Sequence, residues 1–308
     1  MKTWHILRRG TIKDLKWDDL PEPSLGAGFL KVRVRGAALN PADLKILSGK
    51  DGGKFIHSSR FPAQLGFDFS GLTPSGEEVY GFLPYSPFNN QGSFSEFVSV
   101  KESEFGRKPK NITHAEAASL ATVGLTVLQA VRDSAKIRKG DRILINGASG
   151  GVGTVAIQIA KILGAHVTAV ASKEKLDFVK SLGADEVIDY RSKQLRDIES
   201  KFDMVFDVAA NSSFSVCGKL LNPTGTFLTL LPLPSLLAGF VQSLFTGKKV
   251  RFIGVKSKKA DLDLITQWVE AGKLKPVVER QFPLSAVPQA LEFLASGKAK
   301  GKLTISME

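Results

Sequence analysis

The stretch DRILINGASGGVGTVAIQIAKILGAHVTAVAS, residues 141–172, limits the possible fold more than any other part of this 308-residue chain. A short apolar run, DRILIN, meets a glycine cluster, and TVAIQIAKIL then carries apolar residues at helical spacing. Strand, glycine turn and helix in that order form a unit that packs only inside a larger parallel sheet. The strict dinucleotide fingerprint asks for glycine at three positions, here filled by Ala148, Gly150 and Gly153, with Gly147 and Gly151 as additional glycines. Ala148, Ser149, Gly150, Gly151, Val152 and Gly153 are therefore the candidate cradle for a pyrophosphate, received by the N–H groups that open the helix. The plain alternative is a structural glycine-rich turn. No Walker lysine with a following Ser/Thr is present, which argues against nucleoside triphosphate hydrolysis.

Periodicity places this unit in a longer pattern. Up to about residue 110 the chain shows short strand-like runs broken by Gly, Pro and Asn, such as GFLKVRVRGA and SFSEFVSVKES. From residue 113 onward helices alternate with DRILING, AHVTAVA, DEVIDY, FDMVFDVA and GTFLTLL, which predicts a mostly parallel sheet covered on both faces. KPVVERQFPL, AVPQALEFLASG and GKLTISM return to a mixed style and are expected to complete the first domain. The expected architecture is α/β: a mostly β domain over residues 1–112 and 273–308, and a doubly wound Rossmann domain over 113–272.

The second strand of the Rossmann pattern ends on AVASKEKLDFVK. A carboxylate there would bind the adenosine ribose 2′-OH; Ser172, Lys173 and Lys175 instead offer a hydroxyl and two ammonium groups, which suit a 2′-phosphate. NADPH is therefore expected ahead of NADH, although Glu174 sits between the lysines and either lysine also reads as an ordinary helix-surface charge. Tyr190, closing EVIDY, either stacks on adenine or packs against the sheet.

Composition removes other classes. The apolar fraction is 43%, as for a globular protein, and the single cysteine, Cys217, excludes an internal disulfide and any cysteine-cluster metal site. His5, His57, His114 and His166 show no ligand spacing, so no metal is expected. The net charge is +12, but the basic residues are scattered and no nucleic-acid motif accompanies them, so no nucleic-acid partner is expected. The N-terminus lacks an apolar signal core and carries acids, which predicts a cytoplasmic protein. FLTLLPLPSLLAGFVQSLF, residues 227–245, reads as strand, turn and helix at a cleft or subunit contact, with peripheral membrane contact left open.

ALNPADLKILSG, FPAQLGFDFSG, GSFSEFV, AEAASLATVGLTVLQAV, GASGGVG, FVKSLGADEVIDY and GKAKGKLTI, in that order, span nearly the whole chain. Together they resemble the zinc-free quinone oxidoreductases of the medium-chain dehydrogenase/reductase superfamily, in the style of chloroplast-envelope quinone oxidoreductase homologues and enone reductases. The resemblance implies a GroES-like first domain, a homo-oligomer, and hydride transfer from NADPH to the activated C=C of a small apolar enone or to a quinone. A non-catalytic NADPH-binding regulatory or structural protein would carry the same features. Zinc-dependent relatives place Cys at or near Asn40 and Gly-His-Glu where this chain has Gly66-Phe67-Asp68, and they carry a four-cysteine lobe absent here. The segment LTPSG is shorter than the family's usual hairpin.

The resemblance also nominates individual residues. Asn40 orients substrate or the nicotinamide ribose, or caps a turn before Pro41. Asp43 pairs with Lys45 or a more distant base, as support or as catalyst. Tyr85, with Phe67 and Phe88, forms an apolar substrate wall, or these are core aromatics. Thr126 lies beside the nicotinamide or packs a helix, and Lys302 reaches the cofactor or is an exposed edge-strand lysine.

Overall fold

The computed structural model describes residues 1–230 and 234–307. The chain forms two compact units, Met1–Leu125 with Lys256–Glu308, and Thr126–Val255. The sequence placed these boundaries at 112/113 and 272/273, and the difference has a packing cause. Helix His114–Leu128 lies so close to the first unit's sheet that a Cβ at Gly36 would sit 2.6 Å from the His114 carbonyl carbon. Helix Lys259–Glu270 is tied to the same unit: Tyr80 Oη donates to Leu262 O at 2.8 Å, and Thr266 Oγ1 donates to Arg107 O at 2.7 Å.

In the second unit six strands form one sheet, all parallel, in the order Glu186–Asp189, His166–Ala171, Arg142–Asn146, Phe202–Asp207, Leu221–Thr229, Lys249–Phe252. In chain order that is 3-2-1-4-5-6, the doubly wound arrangement in which ligands bind beyond the C-terminal strand ends. Leu144, Val170, Val205, Phe227 and Val250, from five different strands, meet in one buried cluster. Helices cover both faces of such a sheet, which is why these strands read as continuous apolar runs.

In the first unit a seven-stranded sheet runs Val278–Pro283, Lys302–Ser306, Phe29–Ala38, Asp68–Leu72, Glu78–Phe82, Phe105–Arg107, with Phe97–Lys101 also paired to Phe29–Ala38. The C-terminal strand Lys302–Ser306 is interior: it pairs in parallel with Val278–Pro283 and antiparallel with Phe29–Ala38. A small second sheet joins Lys16–Asp19, Lys2–Ile6 and Ala63–Gln64. The short LTPSG segment closes cleanly between Asp68–Leu72 and Glu78–Phe82: Thr73 N–H donates to Glu77 O at 3.0 Å, and Gly76 takes a positive φ of 84°. No helix among the described residues is long and apolar enough to cross a membrane. Within residues 227–245 the expected strand and helix form as Leu221–Thr229 and Pro234–Ser243, while the turn at 231–233 lies outside the described residues.

Candidate active site

The glycine turn sits where the parallel sheet opens. Strand Arg142–Asn146 ends, Gly147 takes φ +87°, and helix Gly151–Ile162 begins from Gly150 with no side chain capping its first N–H groups. Those N–H groups and the helix dipole favour an anion. Two of the glycines have distinct jobs. A Cβ on Gly153 would lie 2.3 Å from Gly147 O and 2.6 Å from the Ala148 carbonyl carbon, so helix and turn touch only because a side chain is missing. A Cβ on Gly150 would meet nothing closer than Gly147 O at 3.8 Å. The protein's own packing does not require glycine at 150; a ligand lying against the turn would.

Beneath the turn, Asn146 Nδ2 donates to Asp207 Oδ1 at 2.7 Å and to Asn211 Oδ1 at 2.9 Å, tying the ends of neighbouring strands together. Burial raises the Asp207 carboxyl, and burial also pushes the nearby Cys217 thiol up to about 12, which leaves it an inert core group.

Ser172 follows the second strand and precedes the short turn Lys173–Lys175. Tyr190 is half exposed, and the Arg191 guanidinium lies 5.7 Å from its ring centroid. Arg191 Nη1 and Nη2 reach the two Glu174 carboxylate oxygens at 3.3 and 3.4 Å. Glu174 is thus partnered by an arginine that the sequence reading did not single out. Its signal was a basic residue two positions after Asp189, where the third strand ends.

In the first unit the structure brings Asn40, Lys302, Asp68 and Thr122 into one buried network. Lys302 Nζ donates to Leu39 O at 2.7 Å, Asn40 Oδ1 at 2.7 Å and Asp68 Oδ2 at 3.1 Å, an acceptor for each of its three hydrogens. Asn40 Nδ2 donates to Asp68 Oδ2 at 2.9 Å. The other Asp68 oxygen accepts from Thr122 N–H at 2.9 Å and from the Thr122 hydroxyl. Lys302 is therefore no exposed edge lysine, because strands cover its own strand on both sides.

Asn40 does occupy the N-cap of helix Pro41–Ser48, but its side chain turns to Asp68 and Lys302 instead of capping. Asp43 closes that helix start. Its carboxylate accepts from Asn40 N–H at 2.7 Å and from Gly66 N–H at 3.2 Å, so of the two partners the sequence left open, Lys45 or a more distant base, its hydrogen bonds go to neither. Burial pushes the Asp43 carboxyl up to about 7 against the Asn40 hydrogen bond, and the Asp68 charge adds to the rise. In the unfolded chain it ionises near 3.8. Between those values the folded state binds the proton more tightly, so this group's stabilisation is lost as pH rises from about 4 to about 7 and levels off above. Asp43→Asn should flatten that slope. Thermal unfolding of both proteins across this window checks it, and parallel pH dependence in the two would count against the assignment.

Tyr85 lies 4.8 Å from Phe67 and 4.9 Å from Phe82, ring centroid to centroid. Burial, with the Asp43 and Asp68 charges adding, holds its phenol well above the usual range, so its hydroxyl keeps its proton. Phe67 is fully buried. Phe88 does not share that cluster: it is 87% exposed and borders an open groove of about 680 Å³ with Leu20, Pro62 and Gln91. Thr126 is buried in helix His114–Leu128, at the first residue of the second unit.

The histidines act singly. His57 Nε2 faces Gln64 O at 2.8 Å, with burial lowering its pKa to about 4, and His114 Nδ1 faces Ser70 Oγ at 2.8 Å. Among the described residues no group of three or more His, Cys, Asp or Glu is placed to hold a metal.

A family model described as zinc-binding dehydrogenase matches residues 182–305. The chain is 36% identical to mouse "NAD(P)H oxidoreductase RTN4IP1, mitochondrial", over 90% of this chain and 81% of that protein. It is 32% identical to an Arabidopsis thaliana "NADPH-dependent alkenal/one oxidoreductase, chloroplastic", over 99% of this chain and 79% of that one. Among solved structures, the quinone oxidoreductase from Coxiella burnetii superposes with a TM-score of 0.88 at 30% identity, covering 100% of this chain and 99% of its own. These relatives correct the cytoplasmic expectation, since their names place them in mitochondria and chloroplasts. The expectation rested on the first residues, and those build a strand, Lys2–Ile6, that carries no information about compartment.

Proposed function

This chain belongs to the zinc-independent quinone-oxidoreductase and enone-reductase family of the medium-chain dehydrogenase/reductase superfamily, and from that premise we propose that it uses NADPH to reduce the activated C=C of a small apolar enone, or a quinone. The observation that carries the cofactor half is the glycine turn, where Gly150 leaves room that the protein's own packing does not use. NADPH, when bound, supplies a hydride from its nicotinamide ring.

The chain's residues have the remaining tasks. The N–H groups of Gly151, Val152 and Gly153 receive the pyrophosphate. Ser172, Lys173, Lys175 and Arg191 supply donors for the 2′-phosphate, where a carboxylate would repel it. On the acceptor side, Asp68 and Lys302 fix the Asn40 amide, with Oδ1 held by an ammonium and one Nδ2 hydrogen held by a carboxylate. The second Nδ2 hydrogen is the donor we assign to the acceptor's carbonyl oxygen, where negative charge grows during reduction. The protonated Tyr85 hydroxyl is assigned to return a proton, and its Phe67 and Phe82 neighbours keep water away.

The reading is tested by following reduced-nicotinamide oxidation with NADPH and with NADH, upon adding a short-chain enone and then a quinone. Enone-dependent oxidation with a higher kcat/KM for NADPH is expected; cofactor binding without turnover on either acceptor class would instead favour a non-catalytic NADPH-binding protein. Ser172→Asp should reduce kcat/KM for NADPH by about tenfold or more, the loss of roughly one charge-assisted hydrogen bond, and leave NADH turnover nearly unchanged. An equal loss with both cofactors would remove Ser172 from the phosphate site.

A further inference from the structure

Two segments of the first unit, residues 53–64 and 86–90, are fastened side by side and hold large apolar side chains out to solvent. Gly53 sets the first of them: a Cβ there would lie 1.9 Å from Lys45 O, so the short helix Gly53–Ile56 folds flat against helix Pro41–Ser48 and leaves Lys54 and Phe55 exposed. Ser86 N–H donates to Ile56 O at 3.1 Å, Ser58 N–H to Asn89 O at 3.0 Å and Gln64 N–H to Asn90 O at 2.9 Å, which ties the second segment to the first. Arg9 anchors the pair from below, with Nη1 donating to Ile46 O at 2.6 Å and Nη2 to Ser58 O at 2.7 Å. Phe55, Phe61 and Phe88 therefore stand on adjoining backbone, and all three are exposed, Phe55 at 68% and Phe88 at 87%. Rings held out in this way add nothing to the core, and a cluster of them marks a contact with something outside the chain.

Charge identifies the partner. Residues 44–67 contain Lys45, Lys50, Lys54 and Arg60 against one acid, Asp51, and residues 83–95 contain no charged residue. Lys50, Lys54 and Arg60 are exposed, and among the described residues none of them is in an ion pair. Two of the rings carry a cation beside them: Lys54 Nζ lies 5.1 Å from the Phe55 centroid and the Arg9 guanidinium 5.7 Å from that of Phe61. The acids that border the groove next to Phe88 are already engaged, since Glu22 Oε2 accepts from Lys31 Nζ at 2.6 Å and Glu104 Oε2 from Lys101 N–H at 3.3 Å. A small ligand needs walls around it, whereas Phe55 and Phe88 protrude. A surface that yields around protruding rings and carries negative charge satisfies the phenylalanines and the unpaired cations together.

We propose that these two segments dock the protein on the surface of a bilayer containing anionic phospholipid. Phe55, Phe61 and Phe88 enter the boundary between headgroups and acyl chains, and Lys50, Lys54 and Arg60 meet the phosphates. No helix among the described residues is long and apolar enough to span, so the association is peripheral. Tyr85 lies three residues before Phe88, so an apolar acceptor dissolved in the bilayer would be delivered beside the side chain assigned to return its proton. The docking itself stands apart from the proposed reaction, and its test does not involve turnover.

The test is co-sedimentation of the full chain with phosphatidylcholine vesicles, with and without phosphatidylserine, at low and high salt, alongside light-scattering mass in solution. Binding to the phosphatidylserine vesicles that falls with salt is expected. Phe55→Ser with Phe88→Ser should weaken it about tenfold or more, and Lys54→Ala with Arg60→Ala by a similar factor. All four side chains are exposed, so unchanged thermal unfolding serves as the control for folding. No binding to the anionic vesicles overturns the proposal, as does equal binding to both kinds of vesicle or binding unchanged by either pair of substitutions. A serine pair that lowers the mass in solution, with no vesicle binding in the parent, overturns it and assigns these segments to a contact between copies of the chain.

Discussion

Asp68→Asn should cost about 3–5 kcal/mol of stability, because among the described residues Asp68 is the carboxylate in ion-pair contact with the Lys302 ammonium buried inside the first unit. The Lys302 ammonium would keep Leu39 O and Asn40 Oδ1, two neutral acceptors, around an uncompensated charge. The new amide could also direct an N–H at Asn40 Nδ2, donor against donor, where Asp68 now accepts at 2.9 Å. Most of the cost comes from stranding the lysine. Adding Lys302→Met to Asp68→Asn should therefore recover at least half of it, since a pair replaced by neutral groups leaves no buried charge. Urea unfolding of the parent, both single variants and the double variant forms the required cycle. A loss under about 1 kcal/mol in Asp68→Asn, or strictly additive losses in the double variant, would contradict the network as described.

Gly150→Ala and Gly153→Ala should fail in opposite ways, although the two residues are three apart in one turn. The Cβ at 153 would collide with backbone at 2.3 and 2.6 Å, and backbone cannot rotate aside as a side chain can. That variant should lose about 1–3 kcal/mol or more of stability. At 150 the nearest atom is 3.8 Å away and φ is −82°, so folding should suffer only the small cost of alanine at an N-cap, under about 1 kcal/mol. Its methyl group would instead occupy the approach to the helix N-terminus. NADPH affinity should drop by tenfold or more, about 1.4 kcal/mol or above. Unfolding curves and fluorescence titration on the same preparations separate the two failures. Unchanged NADPH affinity in Gly150→Ala would mean that the turn is structural only.

The parts of this protein that could be read from sequence are those whose partners are close in sequence. Strand, glycine turn and helix lie within residues 141–162, and the alternation that follows gives a parallel sheet by periodicity alone. The buried network was hidden for the opposite reason. Asp68 looks like a polar interruption in GFDFSG, and its partners Asn40, Thr122 and Lys302 are 28, 54 and 234 positions away. Asn40 and Lys302 were both picked out, but nothing local showed that they bind each other. Sequence offers Asp43 either Lys45 or a more distant base as partner, whereas its hydrogen-bond donors are backbone N–H groups that carry no sequence signature. Lys302 reads from sequence either as a cofactor contact or as an exposed edge-strand lysine, and the second reading fails because the strand Val278–Pro283, which covers it, cannot be placed by periodicity. Phe88 fell away from Tyr85 and Phe67 because three aromatics in one loop-rich region are not obliged to share a cluster. The domain boundaries shifted because helices at both borders pack by close approach to Gly36 and Gly106, which are unremarkable glycines in the sequence.

Under the proposed function, this chain directs a hydride from NADPH to carbon. Its most direct test is to incubate the protein with a short-chain enone and NADPH deuterated at the transferring C4 position, and then to locate the label by mass spectrometry and NMR. A saturated ketone with one deuterium at the carbon β to the carbonyl is the predicted result. Saturated product without deuterium at that carbon, or cofactor oxidation with no saturated product from enone and no hydroquinone from quinone, would contradict it.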